Sequence, residues 1–277
     1  RNRNFNFFNS DFLDKKLLIK HYQEGYKDII FLAALVGDPI SKKYPSLTNE
    51  IMKKKTIKLI KFCKNENICN FFYASTCSNY GLDRSNKFLN ENTELKPLSL
   101  YAKNKVYIEK YLLNMKKFNF TILRFSTAFG LSLRPRFDLT INEFVLNAFL
   151  GKKIEIYDHL TWRPYCHVID FCKVINNFLN LDYKKVYFNI INVGSNKNNF
   201  RKIDIAKRIK KIIPKFDYII VKGSKDPRDY RVDFDKLSNI IGSKPFVKID
   251  FGIKETINFL KNQKNPKKFL KYGKYSI

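Results

Sequence analysis

The sequence predicts an α/β fold: a doubly wound, mainly parallel sheet with helices on both faces, joined to a smaller C-terminal α/β lobe. Three observations carry this expectation. Short apolar runs alternate with stretches of helical periodicity, the connections between them are short, and the rhythm loosens only after Gly130. At 277 residues the chain is long enough for one large sheet layer plus a smaller lobe.

The elements follow in order. "DIIFLAAL" (28–35) reads as a buried strand that Val36-Gly37-Asp38-Pro39 ends. "LTNEIMKKKTIKLIKFC" (47–63) spaces its apolar residues as a helix, and "NFFYAS" (70–75) is the next strand. A helix over 99–117 and a strand over 120–125, "FTILRF", complete the repeat. Strand–helix–strand units of this kind make parallel sheets, whose chemistry sits at the carboxyl ends of the strands. Beyond Gly130, 138–151 and 170–179 look helical, 152–157 reads as a short strand, and "VYFNIINVG" (186–194) is a buried strand ended by glycine. An amphipathic helix over 201–213 and a short strand at "YIIV" follow, and the lysine-rich tail (264–277) reads as a loose terminus. The expected division is 1–130 with 186–194 as one domain and about 131–277 as an interleaved second lobe.

Composition narrows the class. The net charge is +28, but of 53 basic residues 42 are lysine and only 11 arginine, spread along the chain. With abundant Asn, Ile and Phe, that mixture is the signature of AT-rich coding sequence. A polyanion site needs clustered charge, so specific nucleic-acid binding is not expected, although the charge would attract a phosphorylated substrate. The five cysteines (63, 69, 77, 166 and 172) form no C-x-x-C, which argues against a metal site and for reduced thiols in a cytoplasmic setting. No apolar run approaches a membrane span and the start lacks the apolar core of a signal peptide.

The candidate chemistry centres on "YAKNK". Tyr101 and Lys105 sit four residues apart on a predicted helix, hence on one face. An ammonium beside a phenol favours phenolate, so Lys105 is expected to lower the Tyr101 pKa. Upstream, "FFYASTCSNYG" ends a strand in small hydroxyl residues, and Thr76 is placed to hold a substrate alcohol against that phenolate. Such a set can strip a proton from a carbinol while hydride leaves its carbon. The equally spaced Tyr218 and Lys222 lie on a predicted strand, where four residues span roughly 13 Å, so they cannot couple.

Taken in order, "FLAALVGDP", "YASTCSNYG", "YAKNK…EKYL", "LRFSTAFG", "WRPYCHVID", "NVGS" and "GIKETI" resemble the extended short-chain dehydrogenase/reductases. More narrowly, the chain is similar to the NAD-dependent nucleotide-sugar epimerase/dehydratase family, from about Asp11 onward. The resemblance implies a Rossmann-like fold, NAD (with NADP open), a nucleotide-diphosphate sugar as substrate and a homodimer. It implies Thr76, Tyr101 and Lys105 as catalytic residues. Asp11, Phe12, Ala33, Ala34 and Ser126 would join these three around the cofactor, with Thr127 beside Ser126, and Asn142 and Arg163 would hold the sugar nucleotide. An arginine fork suits phosphate oxygens.

The pattern also departs from the family. None of the ten glycines forms the Gly-rich turn that binds a dinucleotide pyrophosphate. A fragment of a longer enzyme, expected to bind NAD poorly by itself, and a scaffold that has lost the site are both open. Cys77 and Ser78 stand where dehydratases of the family carry Asp-Glu, which favours an epimerase or ketoreductase over a dehydratase. Cys77 reads as a packed small side chain, Met52 as core in place of a polar residue, and His167 as a structural hydrogen-bonder. A catalytically dead binding module and a polyanion binder remain alternatives.

Overall fold

The computed structural model describes residues 5–67, 70–182, 186–223 and 226–271. Its strands are β1 (Asp28–Phe31), β2 (Asn70–Thr76), β3 (Phe88–Leu89), β4 (Phe120–Phe125), β5 (Thr127–Phe129) and β6 (Ile154–Ile156). They continue with β7 (Trp162–His167), β8 (Asn189–Val193), β9 (Asn199–Arg201), β10 (Tyr218–Ile220) and β11 (Arg231–Val232). Four of them form the main sheet, wholly parallel, in the order β1-β2-β4-β8.

The alternation of β2 explains why helices cover both faces of this sheet. Phe71 and Tyr73 point one way and Phe72 the other, and all three are buried. On the first face Phe71, Tyr73 and Ile122 pack against Leu59, Ile60 and Cys63 of one helix and Ile108 and Leu112 of another. Those two helices are Thr56–Asn65 and Leu100–Leu113. On the second face Phe72, Leu123 and Ile191 meet Val174 and Phe178 of the Val168–Leu179 helix.

Smaller sheets extend this layer. β5 pairs with β7 in parallel and β7 with β9 antiparallel, while β6 pairs with β10. Their core joins Phe129, Tyr165 and Ile154 to the Thr140–Phe149, Lys202–Ile212 and Ile249–Lys261 helices. β11 returns to pair with β3, which brings residues 226–231 back over the end of β2. At the β5 end, Gly130 has φ +85° and a Cβ there would run into the His167 ring, so only glycine fits.

Three expectations are corrected. The first predicted strand stops at Phe31, because the chain leaves the sheet there and Leu32 and Ala33 are exposed. The helix over 45–65 carries a six-residue π-helical stretch, Glu50–Lys55, where the Thr56 hydroxyl bonds the Ile51 carbonyl at 2.9 Å. Met52 in that stretch is core, as expected. The tail is not loose throughout: Pro266–Lys271 forms a 3-10 helix whose Phe269 is buried between Phe137 and Phe259. Residues 272–277, and Cys69, lie outside the described residues. No helix among the described residues is long and apolar enough to cross a membrane.

Since Phe269 is 3% exposed, Phe269→Ala is expected to lower unfolding free energy by about 3 kcal/mol, measured by urea denaturation. A loss under about 0.5 kcal/mol would show that the tail is dispensable.

Candidate active site

Parallel packing leaves a cavity of about 770 Å³ at the carboxyl ends of β2 and β4. Thr76, Tyr101, Lys105, Ser126 and Arg163 all line it. Each is delivered by an element described above. β2 ends in Thr76, whose hydroxyl oxygen accepts the Ser78 backbone N–H at 3.1 Å and so starts the turn Cys77–Tyr80. Ser99 caps the Leu100–Leu113 helix by accepting the Ala102 N–H at 3.2 Å, which puts Tyr101 and Lys105 in its first two turns. Ser126 leaves β4, and its hydroxyl donates to the Val193 carbonyl at 2.8 Å.

Thr76 and Tyr101 face the same cavity, where the Thr76 hydroxyl favours the Tyr101 phenolate, and the Lys105 ammonium lies 5.8 Å from the Tyr101 ring centre. Lys105 also donates to the Ala74 carbonyl at 2.5 Å and sits 4.7 Å over the Tyr73 ring. The expectation that Lys105 lowers the Tyr101 pKa is corrected. Burial raises the Tyr101 phenol well above the ordinary tyrosine range and Asp38 adds to the rise; Arg136, the Thr76 hydroxyl and Arg228 pull the other way. Burial also takes Lys105 down to about 7, with Glu109 opposing. Residue spacing places the cation but says nothing of desolvation, which is the larger effect here.

Arg163 is buried on β7 and faces a charge cluster that pattern reading did not find. Its Nη2 lies 3.1 Å from Asp226, whose carboxylate also accepts from Arg228 at 2.7 Å. Arg228 reaches on to Asp38 at 3.1 Å and to the Ser78 hydroxyl at 3.1 Å. Burial would raise Asp226, but the Arg228 hydrogen bond and the Arg163 charge hold it well below the carboxylate range. The only signal in the sequence was the charge density of "DPRDYR" (226–231), which has no periodicity to place it.

Other sequence-predicted residues stand apart from the cavity wall. Asn142 is buried, accepting the Gly130 N–H and donating to the Gly130 and Arg136 carbonyls, so it holds the loop that carries Arg136. Asp11 pairs with Lys55 at 2.7 Å and Phe12 packs edge-on to Phe31. Ala33 and Ala34 follow β1, where Leu32 and Val36 supply the wall instead. Cys77 is buried with its thiol donating to the Arg124 carbonyl, and burial pushes that thiol far up. His167 bonds Glu255 at 2.9 Å and accepts the Ile169 N–H, a structural role.

For a cofactor, the cavity offers an apolar wall of Phe125, Val168 and Phe171 beside the polar atoms of Ser126, Tyr101 and Lys105. A flat carboxamide ring with its ribose suits that combination, so the residues fit the nicotinamide half of NAD. Among the described residues no group of three or more His, Cys, Asp or Glu side chains could hold a metal ion.

Known proteins resemble this chain in sequence and in fold. An uncharacterized protein of Methanocaldococcus jannaschii is 28% identical over 94% of this chain and 80% of its own length. The UDP-glucuronate 4-epimerase of Thermodesulfobacterium geofontis is 24% identical over 94% of the chain and 81% of its own. The crystal structure of UDP-glucuronic acid 4-epimerase from Bacillus cereus, in complex with UDP-glucuronic acid and NAD, superposes with a TM-score of 0.81 at 24% identity, over 94% of this chain and 82% of that one. The model of the NAD-dependent epimerase/dehydratase family matches residues 1–194, more than half of the sequence, and the chain belongs to that family.

Proposed function

We propose that this protein epimerises a nucleotide-diphosphate sugar by oxidising and re-reducing one carbinol, held between Thr76 and Tyr101. The observation that carries this reading is the meeting of Thr76, Tyr101, Lys105 and Arg163 on one cavity at the strand ends. NAD, when bound, supplies the hydride acceptor and donor. Tyr101 takes the proton from the sugar hydroxyl and gives it back, and Thr76 orients that hydroxyl. Lys105 holds the cofactor ribose. Arg163 and Arg228 receive the diphosphate, and Asn142 supports the loop beside it rather than the phosphates themselves. Cofactor falls to residues 1–130 with 186–194, and sugar nucleotide to 131–277.

The proton step has an electrostatic cost that the surroundings offset. Tyr101 must shed a proton against burial, and Arg136 and Arg228 favour the anion it becomes. A carbinol oxidised in this way gives a flat keto-sugar, and hydride returned to its other face inverts the centre. The buried, raised thiol of Cys77 cannot serve as an acid or base for eliminating water, which supports epimerisation over dehydration.

Two outcomes are expected. With NAD and UDP-glucuronic acid, the ligand of the Bacillus cereus enzyme, Tyr101→Phe should lower kcat by about 10³-fold while sugar-nucleotide affinity stays within about twofold. Equal losses in both would point to a structural role. Lys105→Met should be more stable than the parent near pH 7, by roughly 1–3 kcal/mol, with the gap closing toward pH 10. The native Lys105 pKa of about 7 lies below its ordinary 10.5, so between these values the unfolded chain holds a proton that the native protein lacks. Stability of the parent therefore rises with pH through that window. A gap in urea-unfolding free energy that ignores pH would contradict it.

A further inference from the structure

Glu109 is one helical turn beyond Lys105 on the face that carries Tyr101, and it is 1% exposed. It lines no cavity among those described, yet it is the most heavily bonded carboxylate beside the site. Its Oε2 lies 2.7 Å from Arg124 Nη2, and Arg124 Nε donates to both of its oxygens at 3.1 and 3.2 Å. The Ser75 hydroxyl donates to Oε1, and the Asn79 amide donates to the same oxygen at 2.8 Å. Arg124 is itself 3% exposed and extends to the Tyr80 hydroxyl at 3.2 Å, which donates to Asn192 at 2.8 Å. One carboxylate thus ties the Leu100–Leu113 helix to β2, β4 and β8.

We propose that Glu109 is a positioning residue of the site: locked by Arg124, Ser75 and Asn79, it fixes the register of the Tyr101 helix and serves as counter-ion to the Lys105 ammonium. A full ion pair held so rigidly is more than packing requires, because a hydrophobic pair of the same volume would serve stability as well. What Glu109 adds is a fixed carboxylate one turn from Lys105, only partly offset by Arg124, at a depth where water screens little.

The other charges around Lys105 cannot replace it. On β2 the neighbour is the Tyr73 phenol, which burial holds neutral and Glu109 disfavours further as an anion. On the same helix Tyr101 is likewise kept neutral by burial. Across the cavity Asp38 pairs with Arg228 and Arg136 with Asp138, as Glu109 does with Arg124, and Lys43 is a cation; none of Asp38, Arg136 and Lys43 acts on Lys105, whereas Glu109 does. From the neighbouring helix Lys53 lies over Tyr107, on the outer face. Against the burial that lowers Lys105, Glu109 is the opposing charge.

The test reads Lys105 directly, without NAD or sugar. Trace labelling with acetic anhydride at a series of pH values, quantified at the Lys105 peptide by mass spectrometry, gives the midpoint at which the amine becomes reactive. Glu109→Gln should move that midpoint down by about one pH unit, and Glu109→Asp should restore part of the shift. Because Glu109→Gln leaves Arg124 buried without its partner and can fail to fold, Glu109→Gln with Arg124→Met removes both charges together and should still lower the midpoint. An unchanged midpoint in either folded variant overturns the proposal. The inference rests on the proposed reaction only for what Lys105 is used for. A shifted midpoint in a protein that turns over no sugar counts against the reaction and not against Glu109.

Discussion

The structure depends on a buried ion pair. Glu109 and Arg124 lie at 1% and 3% exposure between the main sheet and the helix that carries Tyr101 and Lys105. Two charges removed from water are tolerable only when their hydrogen bonds are nearly complete, and here they draw in Ser75, Asn79, Tyr80 and Asn192. Three strands and one helix are thereby held in a single register. The site is built on that register: a residue slip along the helix would carry Tyr101 away from Thr76.

Burial then sets the electrostatic character of the cavity. Desolvation pushes the phenol of Tyr101 up and the ammonium of Lys105 down, so both are driven toward their neutral forms. Arg136 and Arg228 act against this at Tyr101, and Glu109 acts against it at Lys105. The arginines are themselves restrained by Asp138, Asp38 and Asp226, which keeps their guanidinium groups in place. Along the cavity Lys43, Lys105, Arg136, Arg163, Lys202 and Arg228 outnumber the carboxylates of Asp38, Asp138 and Asp226, a setting suited to a diphosphate.

Some of this was legible in the residues alone. Tyr101, Lys105 and Thr76 could be read because each sits at a defined phase of a regular element, a helix face or a strand end. The parallel sheet was readable for the same reason, down to β8 joining it from residues far along the chain. Arg228, Asp226, Arg136 and Asp38 could not be read, since they stand on loops or at a helix start with no periodicity. Asn142 was expected, from the resemblance, to hold the sugar nucleotide, but its bonds go to the Gly130 and Arg136 backbone, which only the folded loop reveals. The direction of the Tyr101 shift escaped because sequence spacing reports neighbours and not depth.

If Tyr101 and its neighbours oxidise and re-reduce one sugar carbinol, its hydrogen does not exchange with solvent. Incubating the protein with NAD and nucleotide-diphosphate sugars in deuterium oxide, and following them by proton NMR, tests this directly. Inversion at one carbinol with protium retained there is the expected result. Deuterium at the inverted centre, or no inversion with NAD saturating, would contradict it.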